Sequence, residues 1–163
     1  MDESSVAEAY RLYAPAIWRR CVGLLGSEAE ALDVAQEVFV RCLRHHRRLR
    51  PGRELLGWLY RVATNVSLNH LRNQKTRGHA ESTDTIAEPS HEGEATARLM
   101  VADLLHGLDR RTQELVVYVL VDGMTHAEAA EVGACSERTV RNRLNRFLAR
   151  GRRVMGMRTQ EGS

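Results

Sequence analysis

Lysine is almost absent: of the 24 basic residues only Lys75 is a lysine. Cysteine is nearly as scarce, with Cys21, Cys42 and Cys135 far apart and no CxxC. That spacing argues against a disulfide scaffold or a zinc knuckle and fits a reducing cytoplasm. Proline occurs three times and aromatic residues make up 5% of the 163 positions. No apolar run reaches the roughly 18 residues of a membrane span. The opening MDESSVAEAY is acidic and polar, unlike a secretory signal. Strand-period alternation is missing, and so is any convincing internal repeat. There is no nucleophile–base pair, no phosphate-cradling glycine loop and no metal-ligand spacing. The expectation is therefore a cytoplasmic, all-α protein that is not an enzyme, with no cofactor, no metal, no small-molecule substrate and no membrane insertion.

What is present is arginine, in blocks. Residues 1–75 carry 12 basic and 8 acidic groups, residues 76–95 one basic and five acidic, and residues 96–163 11 basic and 8 acidic. Two mildly basic blocks flank an acidic strip. The arginine bias reads either as base composition of the gene or as a supply of planar forks for phosphate and guanine.

The first block reads as three helices. Ser5 and Glu8 form an S-x-x-E capping box ahead of Tyr10, Tyr13, Ile17, Cys21, Leu24 and Leu25 at spacings of three and four. Pro15 predicts a kink or a split, and Gly26 a stop. A second box, Ser27 with Glu30, opens a helix whose apolar stripe is Leu32, Ala35, Phe39, Cys42 and Leu43. It ends in His45-His46-Arg47-Arg48, whose charge suits a helix C-terminus, before Pro51-Gly52. A third helix, from about Glu54 to Lys75, buries Leu55, Leu59, Val62 and Val66, with Leu56, Ala63 and His70 beside them. Three such helices can share one core. Residues 76–95, rich in Ser, Thr, Glu and Gly and containing Pro89, read as a linker.

The second block is predicted helical over Leu99–Leu108 and Thr112–Val121. Thr125-His126-Ala127-Glu128 is a third capping box, for a short helix to about Val132. Gly133-Ala134-Cys135 is a turn, and Ser136 caps a last helix to about Arg150. A capped helix, a three-residue turn and a capped arginine-rich helix make a helix-turn-helix pattern. Val140, Leu144, Phe147 and Leu148 share an inward face. Arg138, Arg141, Asn142 and Asn145 share another, and their side chains suit guanine and adenine edges. Arg143, Arg146 and Arg150 lie on a flank suited to phosphates. A solvated charged face is the other reading. The turn position usually given to glycine is Ala134, with Gly133 one earlier, so either the turn is strained or its register shifts.

Two faces of the first block carry further signals. Asp33, Gln36 and Glu37, continued by Val40 and Arg41, oppose the apolar stripe; they read as a protein-contact surface or as an ordinary solvated face. Trp58, Arg61, Asn65, Asn69 and Arg72 form one stripe, suited to stacking on unpaired bases and to phosphate contact. Trp58 reads equally as a core residue.

In order, D-x-x-Q-E-x-F at Asp33–Phe39, W-L-x-R-x-A-x-N at Trp58–Asn65, a polar linker and a helix-turn-helix ending S-E-R-T-V-R-N-R-L at Leu144 resemble a bacterial sigma factor of the sigma-70 family, extracytoplasmic-function (group IV) type. The resemblance covers about Tyr10 to Arg150. It implies region 2 at residues 5–75, a flexible acidic linker at 76–95 threading the channel RNA later occupies, region 4 at 96–153 and a tail at 154–163. It further implies a transcription factor that binds core RNA polymerase and directs promoter recognition and initiation. Asp33, Gln36, Glu37, Val40 and Arg41 would meet the β′ clamp helices, and region 4 the β flap. Arg53, Trp58, Arg61, Asn65, Asn69 and Arg72 would melt and read the −10 element. Ser136, Arg138, Thr139, Arg141, Asn142, Arg143, Asn145 and Arg146 would bind the −35 element. An anti-sigma factor is an additional implied partner. The family's proline near the start of region 4 is replaced around Asp109-Arg110, and a following arginine by Gln113. An alternative from another class is a dimeric helix-turn-helix regulator with an N-terminal dimerisation or ligand module.

Overall fold

The computed structural model describes residues 3–80 and 89–161, with side chains placed for 4–77 and 93–156. The described residues are helical, without strands, and divide into two compact units, Met1–Gln74 and Lys75–Ser163. The helices are α1 (Glu3–Leu25), α2 (Glu28–His45), α3 (Arg53–Ala80), α4 (Pro89–His106), α5 (Arg110–Leu120), α6 (His126–Val132) and α7 (Glu137–Glu161), with a 3-10 turn at His46–Arg48.

In the first unit α1 packs along α2. Ile17, Cys21, Ala31, Val38, Cys42, Leu59 and Ala63 are fully excluded from solvent. α1 begins at Glu3, so Ser5 lies inside the helix and is not its cap, and Pro15 neither splits nor ends it. Proline removes one ladder bond and crowds the carbonyl four residues back. Here both Pro15 and Arg11 are exposed, on the outer side of the helix. Ser27 caps α2 as expected, accepting from the Glu30 amide at 3.3 Å. The buried stripe of α2, however, is Ala31, Val34, Ala35, Val38, Phe39 and Cys42, while Leu32 and Leu43 are about half exposed.

Arg20 is the unexpected core residue, 1% exposed. Its Nη1 donates to the Tyr60 carbonyl at 2.8 Å and to Thr64 Oγ1 at 3.2 Å. The guanidinium carbon also sits 3.9 Å from the centre of the Tyr60 ring. A buried cation needs such partners, because removing it from water is costly. The register Ile17, Arg20, Cys21, Leu24 puts it on the inner stripe, a sequence signal that hydropathy alone hides.

In the second unit α5, α6 and α7 pack together, with α4 against α7. Leu115, Val116, Val117, Tyr118, Ala129, Val140, Leu144 and Phe147 form the core. Leu148, expected inside, is exposed. Asp109 caps α5, accepting from the Thr112 amide at 3.1 Å. Thr125 and Glu128 close the expected reciprocal box on α6. The ends of α3 and α4 take helix further than the sequence predicts, to Ala80 and from Pro89, and α7 continues to Glu161 through the expected tail. The rest of the predicted linker, 81–88, lies outside the described residues.

Candidate nucleic-acid interface

The helix-turn-helix is α6, the turn at 133–135, and α7. Ser136 caps α7: its Oγ accepts from the Thr139 amide at 3.2 Å and lies 3.0 Å from Thr139 Oγ1. Val140, Leu144 and Phe147 face the core, which leaves Arg138, Arg141, Asn142, Asn145 and Arg146 exposed. Ala134 has φ 48° while Gly133 has φ −79°, so the register does not shift and alanine takes the left-handed position. Gly133 is held by packing: a Cβ there would meet Leu115 Cδ2 at 2.7 Å and the Ala129 carbonyl at 2.9 Å.

Two of the flanking arginines hold acceptors within the second unit. Arg143 Nη1 donates to Asp109 Oδ1 at 2.9 Å and also to Thr112 Oγ1. Arg150 Nη1 donates to the Gly107 carbonyl at 2.8 Å, covering the end of α4. Both are engaged by backbone or side-chain acceptors that local sequence does not reveal. The hydrogen bond from Thr112, with the Arg143 guanidinium adding to it, holds the Asp109 carboxyl below its ordinary range. Glu128 is likewise lowered by the Thr125 amide and hydroxyl. A third arginine, Arg111, which the sequence did not single out, donates from Nη2 to the carbonyls of Gly133 at 3.1 Å and Ala134 at 3.0 Å. Gln113, at the family's arginine position, is buried and donates to the Leu105 carbonyl at 3.3 Å.

In the first unit Asp33, Gln36, Glu37, Val40 and Arg41 are all exposed on α2. Arg41 pairs with Glu37 one turn away, through Nε at 3.0 Å. On α3, Asn65, Asn69 and Arg72 are exposed and Trp58 and Arg61 half-buried; Arg53, at its start, is exposed. The Trp58 ring lies 6.1 Å from that of His45, and its half-burial places it neither wholly in the core nor wholly in solvent. A polar groove of about 340 Å³ runs between α2 and α3, lined by Asp33, Val34, Glu37, Arg41, Val66, Asn69, His70 and Asn73. It brings Asn69, expected with the −10 residues, beside the acidic face of α2. Burial pushes the Cys42 thiol pKa up, which keeps it protonated. The cysteines are free.

An exposed polar helix face on one helical unit, followed by a helix-turn-helix unit with an open arginine- and asparagine-bearing face, is the arrangement of a two-region DNA-binding transcription factor, the class to which the relatives belong. Residues 9–77 match sigma-70 region 2 and residues 98–150 match sigma-70 region 4. The ECF RNA polymerase sigma factor SigL of Mycobacterium tuberculosis is 30% identical over 145 residues, 83% of this chain and 80% of that protein. SigW of Bacillus subtilis, another ECF sigma factor, is 24% identical over 160 residues, 89% of this chain and 86% of that protein. The fold is also that of the sigma factor RpoE of Bartonella quintana, solved with the anti-sigma factor NepR, at TM-score 0.52 and 18% identity over 92% of this chain and 96% of that one. The chain belongs to the extracytoplasmic-function type of the sigma-70 family of RNA polymerase sigma factors. It directs promoter-specific transcription initiation as a sigma factor on core RNA polymerase. The dimeric-regulator alternative finds no support among these relatives. Among the described residues no helix is long and apolar enough to cross a membrane.

Proposed function

We propose that the two units divide promoter recognition between them, with a non-enzymatic role in the cytoplasm. α7 enters the −35 major groove. Arg138, Arg141, Asn142 and Asn145 meet base edges, and Ser136, Thr139 and Arg146 meet the backbone. Arg143 acts from its bond to Asp109 as a brace of α7 rather than as a phosphate grip. On the first unit, Asp33, Gln36, Glu37, Val40 and Arg41 dock on the β′ clamp helices, and Asn69 joins them across the α2–α3 groove. Arg53, Trp58, Arg61, Asn65 and Arg72 engage the −10 strand. Region 4 also meets the β flap. The acidic segment at 76–95 imitates nucleic-acid charge in the polymerase channel. An anti-sigma factor is a further partner, as NepR is for the similar RpoE.

The observation that carries this reading is the outer face of α7, left open by the burial of Val140, Leu144 and Phe147 behind it. Its test is a binding series of holoenzyme over all single-base variants of a −35 element at two salt concentrations. Arg141→Ala relaxes preference at one base pair by about 1–3 kcal/mol, while Arg146→Ala lowers affinity uniformly and reduces the salt slope by about one. A uniform loss with Arg141→Ala would instead make Arg141 a backbone contact and rotate α7 in the groove.

A further inference from the structure

We propose that Arg111, which lies outside the helix-turn-helix, is a positioning residue for −35 recognition: it locks the turn between α6 and α7 and so sets the rotation at which α7 meets DNA. This rests on the −35 reading of α7 given above.

The turn is under two opposed demands. Residue 133 is crowded from α5, since a Cβ there would lie 2.7 Å from Leu115 Cδ2 and 2.9 Å from the Ala129 carbonyl, which favours glycine. The left-handed residue of the turn is Ala134 at φ 48°, a region that L side chains adopt rarely. Three backbone amides close the turn: Gly133 donates to the Ala129 carbonyl at 2.9 Å, Cys135 to the Ala130 carbonyl at 3.0 Å and Ala134 to the Glu131 carbonyl at 3.3 Å. Strained backbone persists only where its surroundings over-determine it. Arg111 supplies that constraint. One of its nitrogens donates to the carbonyls of both Gly133 and Ala134, which ties down the two peptide planes on either side of the Ala134 Cα. The first turn of α5 also holds α7 directly, through Asp109 and Arg143. A single helix end thus grips the turn and the recognition helix together.

The experiment compares wild type, Arg111→Ala and Arg111→Ala with Ala134→Gly. Each is bound as holoenzyme to all single-base variants of a −35 element at two salt concentrations. Arg111→Ala is expected to compress discrimination at several adjacent base pairs while leaving the salt slope unchanged. Ala134→Gly, which removes the strain the arginine holds, restores part of that discrimination. A uniform loss across all sequences, with the salt slope reduced by about one, makes Arg111 a phosphate contact and overturns the proposal.

A second readout needs no DNA: amide hydrogen exchange in the free full-length protein. Cys135 should exchange about three- to tenfold faster in Arg111→Ala, with Leu144 and Phe147 unchanged. Unchanged exchange at Cys135 also overturns the lock. If wild-type holoenzyme reads no base at −35, the assignment of α7 fails, while exchange at Cys135 still decides whether Arg111 holds the turn.

Discussion

Gly133 and Ala134 divide between them two requirements that a single residue often meets: closeness to a neighbouring helix and a left-handed backbone. Their substitutions should therefore act in opposite directions. Gly133→Ala places a methyl against Leu115 and the Ala129 carbonyl and should destabilise the second unit by about 1–3 kcal/mol. Ala134→Gly should stabilise it by about 1 kcal/mol, since glycine takes positive φ without penalty. Urea unfolding of each variant, followed through the second unit, checks both signs. The displaced glycine was legible as an oddity of sequence; the reason for it was not, because Leu115 approaches from another helix. Asp109 gives a pH signature. Its folded pKa is held below the ordinary 3.8 by Thr112 and then Arg143. The stability it contributes is full above 3.8 and is lost as pH falls through the lowered value. The effect is small, because the carboxylate is largely exposed. Urea midpoints of the wild type should fall more steeply below about pH 4 than those of Asp109→Asn, which keeps a capping oxygen but cannot titrate. Equal slopes would remove Asp109 from the acid response.

At the scale of helices, local signals were read well and packing signals less so. The Ser27, Thr125 and Ser136 caps depend on three or four neighbouring residues, and all three stand as the sequence implies. Faces were harder. α2 turns Ala31, Ala35 and Cys42 toward the core, and these small side chains let α1 approach closely. Leu32 and Leu43 are pushed out by the same rotation, so hydropathy alone mis-set the stripe. Arg20 stayed hidden because its carbonyl acceptor belongs to α3, 40 residues on. The outward residues Asp33, Gln36, Glu37, Val40 and Arg41 are nevertheless exposed, as their spacing implies. Glu37→Arg leaves two arginines one turn apart where an ion pair stood. Exposed substitutions change stability by about 0.5 kcal/mol or less. The thermal midpoint should therefore barely move, while affinity for core polymerase, measured by titration, should fall at least tenfold. Unchanged affinity would take Glu37 out of the clamp contact.

On the scale of the whole chain, the two-unit division was legible from composition alone. The acidic, serine- and threonine-rich stretch after Lys75 cannot supply a core, and the compact units part between Gln74 and Lys75. How far the helices run into that stretch was not legible, since polar helix ends carry no periodic apolar signal. The same boundary coincides with the scarcest residue. Lys75 is the chain's one lysine, so a lysine-specific endoprotease should cut the denatured polypeptide once, into residues 1–75 and 76–163, and each fragment would carry one of the two recognition regions. In the folded protein the scissile bond lies inside α3, and cleavage must wait for that segment to unwind. The native digestion rate thus becomes a single-site gauge of fraying at the domain junction. Digestion as fast in native buffer as in denaturant would mean that α3 is open there in solution.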